Sequence, residues 1–585
     1  MRARVQRLRW SDWGAGFFLF AATAAIVIWQ NSRLAVLWDL SYVLENAARI
    51  SLGDVPYRDF PFPYAPLTFL IQAALIKVVG RVFWHTIVYC AIVGGTCSVL
   101  TWRIILSVLQ ESPRHVRLIA FVLSAPLFFL GIYCIFPHPF YDPDCTFAIL
   151  LSLLLLLKAE QLRSWWIALV AGVTVVIPLF TKQNTGLAFL LSVIISVVAL
   201  TVIQLMRRES IRVYACVLAG AVAAMAIALL LIQHFAGLAN YWHWTIKFAA
   251  TRRTPALSEM IGVYADKMNI LWLAAIAIGA ALIRFNRTQN RMLAIISIAL
   301  ISMPFVWPAI YLLHQGDPSE RADRLLAVWP VLLVASFILS LATIKRQSGI
   351  RRMLPFVLIA TIHGAFMSQQ LWGSTYAIWP LFLILSARFV GDLNLIQPNN
   401  ARPWLLRSVS AIIALSLILA GGFYVKSHER LSYANLDDGD LYRSTLPQLK
   451  ALSTRGDWLP QFEELIRYTD REIPRDEGIL LLPGEDLFYY TTGRRPRFPV
   501  LMFDHTVNPY TPEEILKLAR DRDIRWVVIK QDLQNEDEGV AEEKNRLSQA
   551  LEQDFESVES LDNYEIYKRK EPGDVEDEGP DSPAR

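Results

Sequence analysis

Residues 184–206 read NTGLAFLLSVIISVVALTVIQLM and are followed at once by Arg207 and Arg208. A membrane-crossing helix needs roughly 20 apolar residues. This run supplies them without a single charged side chain. Similar runs lie on both sides of it. Thirteen candidate spans fall near 12–30, 83–109, 117–135, 145–158, 164–180, 184–206, 213–234, 269–283, 292–313, 325–343, 354–370, 375–391 and 405–424. The shorter apolar stretch Ala65–Val79 reads as a helix lying at the membrane interface. The composition agrees: 54% of the 585 residues are hydrophobic and 18% are charged, whereas soluble chains carry about 25% charged residues. The first apolar run, Gly14 to Trp29, follows the basic segment Arg2–Arg9. No small-residue cleavage site follows it, so it reads as a retained helix and not as a signal peptide.

Loop charge then assigns the sides of the membrane. Cytoplasmic loops are rich in Lys and Arg. With the N-terminus inside, the inner loops hold Arg114, Arg117, Lys158, Arg163, Arg207, Arg208, Arg212, Arg284, Arg287, Arg291, Lys345, Arg346, Arg351, Arg352, Arg402 and Arg407. The other face receives Asp39, Glu45, Asp54, Asp59, Asp142, Asp144, Glu259, Asp266, Asp317, Glu320 and Asp323. An odd number of spans leaves the C-terminus outside. The expected location is the inner (plasma) membrane, with a periplasmic or extracellular C-terminal domain. The net charge of +4 gives no reason to expect nucleic acid as a partner. Cys90, Cys97, Cys134, Cys145 and Cys216 form no CxxC pair and read as small buried hydrophobes. Only Cys134 and Cys145 stand where they could meet near a membrane face.

The composition changes after Gly422. Residues 1–424 read as the membrane domain, 425–570 as a small α/β domain and 571–585 as a disordered acidic tail. Ile479–Leu482, Arg525–Ile529 and Tyr564–Tyr567 read as strands, and Ala541–Phe555 as a helix. Thr511-Pro512-Glu513-Glu514 is a helix start, with a Thr cap, Pro in the first turn and acids near the positive dipole end.

Three outer-face stretches hold polar groups beside apolar spans. The first runs from Trp38-Asp39-Leu40 through Glu45, Arg49 and Gly53-Asp54-Val55-Pro56-Tyr57-Arg58-Asp59 to Tyr64-Ala65-Pro66-Leu67. It reads either as a solvated loop or as a rigid, partly buried polar surface; if helical, Asp39, Glu45 and Arg49 are expected on a common face. The second is Pro137-His138-Pro139-Phe140-Tyr141-Asp142-Pro143-Asp144. Here Asp144 is a helix cap, a functional acid or both, and His138 is a metal candidate. The third is Thr181-Lys182-Gln183-Asn184. Lys182 either snorkels to the interface or waits for an anionic headgroup, as do the other outer cations Lys247, Arg252, Arg253, Arg321 and Arg324.

These motifs, in this order, resemble the GT-C glycosyltransferases of the protein-mannosyltransferase-like group, which includes the bacterial enzymes that add aminoarabinose to lipid A. The shared features are an acid after the first helix, the Gly-x-x-Pro-Tyr-Arg-Asp run, a Tyr-x-Pro-Leu segment, the Pro143-Asp144 pair and the Thr-Lys-Gln turn. About thirteen spans and an outer α/β domain complete a match over residues 12–570. The resemblance implies a GT-C-like helical bundle and a polyprenyl-phosphate-linked sugar donor, used on the outer face for transfer to a lipid, glycan or protein acceptor. It implies Asp39 as catalytic base and Asp144 as the second-loop acid, with Asp142 its rival. Lys182, Arg58, Arg252, Arg253 and Arg324 are the candidates for the donor phosphate. Glu45, Arg49, Tyr57 and Asp59 are expected to support the loop or the acceptor. A divalent metal is the candidate cofactor, yet Asp39-Leu40 stands where many members have Asp-Glu. Tyr64-Ala65-Pro66-Leu67 likewise replaces a Lys-Pro-Pro-Leu run. The competing readings are a flippase for lipid-linked sugars, an O-antigen ligase or polymerase, and a membrane scaffold. Transporters place ionisable groups near the midplane, often with inverted repeats. The long spans here hold few charges and no repeat.

Overall fold

The computed structural model of the protein describes residues 10–109, 116–252, 256–286, 290–314, 328–367, 377–396, 403–426, 434–436 and 439–570. Arg2–Arg9, Arg114, Arg287, Arg402, Asp317, Glu320, Asp323 and the acidic tail lie outside them. A helix lies over each of the thirteen expected spans. The first are α1 (Trp10–Asn31), α2 (Leu37–Ser51), α3 (Leu67–Val79), α4 (Trp84–Val108), α5 (Val116–Ser124), α6 (Tyr141–Leu162), α7 (Trp165–Val176), α8 (Gln183–Met206) and α9 (Arg212–Phe235). Of these, α2 and α3 belong to the segment between the first two spans. Beyond α9 come Lys267–Phe285, Arg291–His314, Val328–Thr343, Gly349–Phe366, Trp379–Ile396 and Pro403–Lys426. Among the described residues, ten helices are long and apolar enough to cross a membrane. Val116–Phe128 and Trp165–Phe180 are shorter apolar helices, and Gly349–Phe366 carries Arg351 and Arg352 in its first turn. The protein is a polytopic, mainly helical membrane bundle with a C-terminal α/β region.

The bundle is built for an apolar solvent. On α8, Leu191, Ile195, Val198 and Val202 are exposed at spacings of four, three and four, so one whole face of the helix is apolar and uncovered. Hydroxyls inside spans bond back to their own helix: Thr101 to the carbonyl of Cys97, Ser152 to Ala148 and Thr361 to Val357. Helices α7 and α9 touch through a glycine from each. A Cβ on Gly172 would collide with the carbonyl of Val217, and one on Gly220 with that of Leu169, the close approach that small residues permit in lipid. Within the helix Trp379–Ile396, Arg388 pairs with Asp392 at 2.8 Å, and both side chains are buried. The five cysteines are free, so Cys134 and Cys145 do not form a disulfide.

The C-terminal region contains a four-stranded sheet in the order β3-β4-β6-β5, where β3 is Gly478–Leu482, β4 Ile524–Lys530, β5 Phe555–Ser560 and β6 Tyr564–Arg569. Strands β3 and β4 run parallel, and the other pairings are antiparallel. A two-stranded ribbon, β1 (Leu441–Arg443) with β2 (Ser453–Arg455), precedes it. The start at Thr511 forms a full capping box with Glu514. The last expected helix is Glu538–Leu551, and Phe555 belongs to β5 instead.

Helix α2 joins the two regions. Its Ser41 hydroxyl donates to the carbonyl of Gly484 at 2.8 Å. The Glu45 carboxylate accepts the backbone N–H groups of Tyr489 and Tyr490, each at 3.0 Å. Arg49 donates to the carbonyls of Phe498 and Pro499 at 3.2 and 2.8 Å and to Asp54 at 2.8 Å. Burial pushes the Glu45 carboxyl up to about 8, against the pull of its two backbone donors.

Candidate functional site

A cavity of about 920 Å³ opens where loops of the bundle meet the C-terminal region. Much of its lining is apolar, with Leu179, Phe180, Leu187, Met225 and Leu229 among the residues. Leu187 of α8 and Leu229 of α9 are partly exposed. The lining also carries the polar residues Asp39, Asp142, Lys182, Asp504, His505, Asn535 and Asp537.

Asp39 stands in the first turn of α2 with its side chain on this cavity. Residues advance by about 100° around a helix, so Glu45 lies about 120° away from Asp39. The expected common face is therefore corrected: Glu45 and Arg49 turn toward the C-terminal region, and Asp39 alone reaches the cavity.

Helix α6 begins at Tyr141 with Phe140 as its N-cap. Asp144 is therefore not the cap; its backbone N–H already bonds to the carbonyl of Phe140 at 3.3 Å. Its buried carboxylate accepts the hydroxyls of Thr68 and Tyr89, each at 2.8 Å, which ties α6 to α3 and α4. Asp142, two residues earlier, lines the cavity and pairs with the Lys182 ammonium. Lys182 occupies the position just before α8 and is buried. It does not snorkel to water, and Asp142 and the face of the Tyr141 ring are its neighbours.

The remaining candidates fall outside the cavity wall. Arg58 is exposed and makes a two-pronged contact with Asp59, at 2.8 and 2.9 Å. The Asp59 carboxylate also accepts the N–H of Val55 at 2.7 Å. Tyr57 adopts φ 70°, a region rarely used by non-glycine residues. Its hydroxyl donates to the Tyr64 carbonyl at 2.6 Å, and its ring meets that of Tyr241 edge-on at 5.1 Å. Tyr57 thus braces a residue of the cavity wall. His138 accepts the N–H of Val36 through Nε2 at 3.0 Å. Arg253, Arg321 and Arg324 lie outside the described residues, as does the side chain of Arg252.

Sequence reading missed the C-terminal contribution: Asp504, His505, Asn535 and Asp537. A signal existed. Open α/β sheets bind ligands beyond the carboxyl ends of their parallel strands. Asn535 and Asp537 follow β4, and the N–H of Phe503 bonds to the carbonyl of Pro483 just past β3. The fit to a divalent metal is poor. No three His, Cys, Asp or Glu side chains come together among the described residues, and Asp142 is already paired with an ammonium.

No protein-family model matches the chain, and no curated protein matches it. Several solved structures are similar. ArnT from Cupriavidus metallidurans, bound to undecaprenyl phosphate, has 12% identity and a TM-score of 0.44, covering 96% of this chain and 98% of that one. The oligosaccharyltransferase AglB from Archaeoglobus fulgidus, in complex with an inhibitory peptide and a dolichol-phosphate, has 11% identity and a TM-score of 0.47, covering 89% and 70%. The Archaeoglobus fulgidus oligosaccharyltransferase in complex with Zn and sulfate has 12% identity and a TM-score of 0.45, covering 88% and 68%. At such identities the chemistry rests on the chain's own residues.

Proposed function

We propose that the protein is a membrane glycosyltransferase that moves a sugar from a polyprenyl-phosphate donor to an acceptor on the outer face of the membrane. The observation that carries this reading is the cavity itself: apolar side chains line it together with an acid and an ion pair. A lipid-linked sugar combines the same two characters, with an apolar chain and a polar, anionic head. The ordered motifs from Asp39 to Lys182 support the same chemistry by their resemblance to the GT-C group. Residues 1–424 would supply the lipid wall and the reacting groups, and 425–570 the outer side of the site. The alternating charge of the loops supports a cytoplasmic N-terminus and an outer C-terminal region.

The reaction is a single displacement at the anomeric carbon. The acceptor hydroxyl oxygen attacks that carbon as the bond to the phosphate oxygen breaks, which inverts the centre. The hydroxyl proton passes to the Asp39 carboxylate. The electron pair of the broken bond leaves with the polyprenyl phosphate, whose charge the Lys182 ammonium stabilises. Asp142 holds that ammonium in the cavity wall before the donor arrives.

The test is incubation of purified protein with radiolabelled polyprenyl-phosphate sugars and a membrane extract. Label is expected to move to an acceptor. Movement of the labelled lipid across vesicles without transfer contradicts the reading and identifies a flippase.

A further inference from the structure

The helix that carries Asp39 cannot cap itself. Val36 stands at the N-cap of α2 in extended backbone, φ −95° and ψ 99°, and makes no side-chain cap bond. Valine has no acceptor to offer, and the first N–H groups of a helix find no partner within it. Two groups from distant parts of the chain meet them. The Val36 N–H donates to Nε2 of His138 at 3.0 Å, and the Leu37 N–H donates to Oε1 of Gln534 at 2.6 Å, across 497 residues. The Gln534 amide also donates from Nε2 to the Ala35 carbonyl at 3.0 Å, so it brackets the turn from both sides.

Gln534 is itself fixed. Its N–H donates to the Glu485 carboxylate at 3.1 Å, and its carbonyl accepts the N–H of Asn435 at 2.8 Å. Glu485 also accepts the Asn535 N–H at 2.9 Å and pairs with the buried Lys530 at 2.7 Å. Lys530, Glu485 and Asp486 form one buried polar cluster, with Asp486 at 3.0 Å from the ammonium. A charged network in the C-terminal region therefore ends on an amide that holds the helix start two residues before Asp39. His138 is four residues before Asp142.

We propose that the Asp39 helix is capped in trans by Gln534 and His138, and that these two side chains are positioning residues that aim Asp39 at the Asp142–Lys182 pair. The inference rests on the reading of Asp39 as catalytic base. It makes the C-terminal region part of the reaction geometry, beyond its place beside the cavity.

The test is transfer kinetics and thermal unfolding of the full-length protein carrying Gln534→Ala, Gln534→Ala with Val36→Thr, or Asp39→Asn, with a radiolabelled polyprenyl-phosphate sugar as donor. A displacement of the order of 1 Å at reacting groups costs about a hundredfold in rate. Gln534→Ala is expected to lower kcat by at least about tenfold with donor KM and melting temperature close to wild type. Val36→Thr places a hydroxyl at the N-cap in a side chain of nearly the same shape; it can accept the N–H of Trp38 or Asp39 though not that of Leu37, and is expected to restore part of the loss by fixing the first turn. Wild-type kcat in Gln534→Ala beside an inactive Asp39→Asn overturns the capping proposal and leaves the base in place. A fall in kcat matched by a fall in melting temperature, with no recovery by Val36→Thr, also overturns it, because the bond then holds the fold alone. Full turnover in Asp39→Asn removes the base reading and the proposal with it.

Discussion

Two buried ion pairs sit at different places in the bundle and are built differently. Asp392 has all its capacity used: one oxygen takes Arg388 at 2.8 Å and Thr343 at 2.8 Å, the other takes Arg388 at 3.1 Å and Ser340 at 3.0 Å. Asp142 faces a cavity, pairs with Lys182 through one oxygen, and its other oxygen takes no hydrogen bond among the described residues. A saturated pair has nothing left to offer a ligand and serves the packing of Val328–Thr343 against Trp379–Ile396. A pair with spare capacity on a cavity wall can exchange partners when an anion arrives. Burial alone does not separate the two; the tally of hydrogen bonds does.

The largest expected effect breaks the saturated pair. Arg388→Ala leaves the Asp392 charge buried without its cation, and removing one partner of such a pair costs about 3–5 kcal/mol. Thermal unfolding in detergent reads this as a clear loss of melting temperature. Lys182→Gln is next, and its effect belongs to binding. Losing a charge-assisted contact costs about 1.5–3 kcal/mol, or roughly tenfold to a hundredfold in donor-lipid affinity. Its loss of stability is expected to be smaller than that of Arg388→Ala, because the glutamine amide can still donate a hydrogen bond to Asp142 whereas alanine leaves Asp392 without its cation. Equal destabilisation by both changes breaks the distinction.

A third buried carboxyl sharpens it. The folded-state value of Glu45 is raised to about 8 from 4.5. The folded protein therefore holds a proton that the unfolded chain releases between these values. Stability from this group is complete below about pH 4.5 and is lost as pH rises through 8, with a slope of at most about 1.4 kcal/mol per pH unit. Glu45→Gln is expected to flatten melting temperature against pH in that window; an unchanged curve contradicts the assignment. The smallest effect is expected from Asp144→Asn. The amide oxygen keeps one of the two hydroxyl bonds, so the cost is about 1 kcal/mol of stability with little change in turnover. A large loss of turnover at normal stability would move the functional acid from Asp142 to Asp144.

The membrane helices were legible because span length and apolar content report directly on the solvent. Strands β3, β4 and β6 were legible as apolar runs between turns. Strand β5 was not: only Phe555 of its six residues is buried, so its start reads as the tail of the preceding helix. At the site, the motif order brought Asp39, Asp142 and Lys182 forward, and all three line the cavity. The choice between Asp142 and Asp144 could not be read from spacing. Residues two apart on a helix point about 160° away from each other, and only packing decides which side is wall and which is core. The C-terminal partners of Glu45 and Arg49 lie more than 440 positions away, beyond any local pattern. Arg58 was drawn to the phosphate by its type, but the neighbouring Asp59 takes its guanidinium.

Turnover of Asp39→Asn, measured beside donor-lipid binding on the same preparation, bears on the proposed chemistry at its reacting atom. The substitution keeps the size of the side chain and removes its basicity. Loss of a general base typically costs about 10²–10⁴ in rate, so turnover is expected to fall by that factor while the donor still binds. Near-normal turnover in a correctly folded Asp39→Asn protein would contradict base catalysis by Asp39.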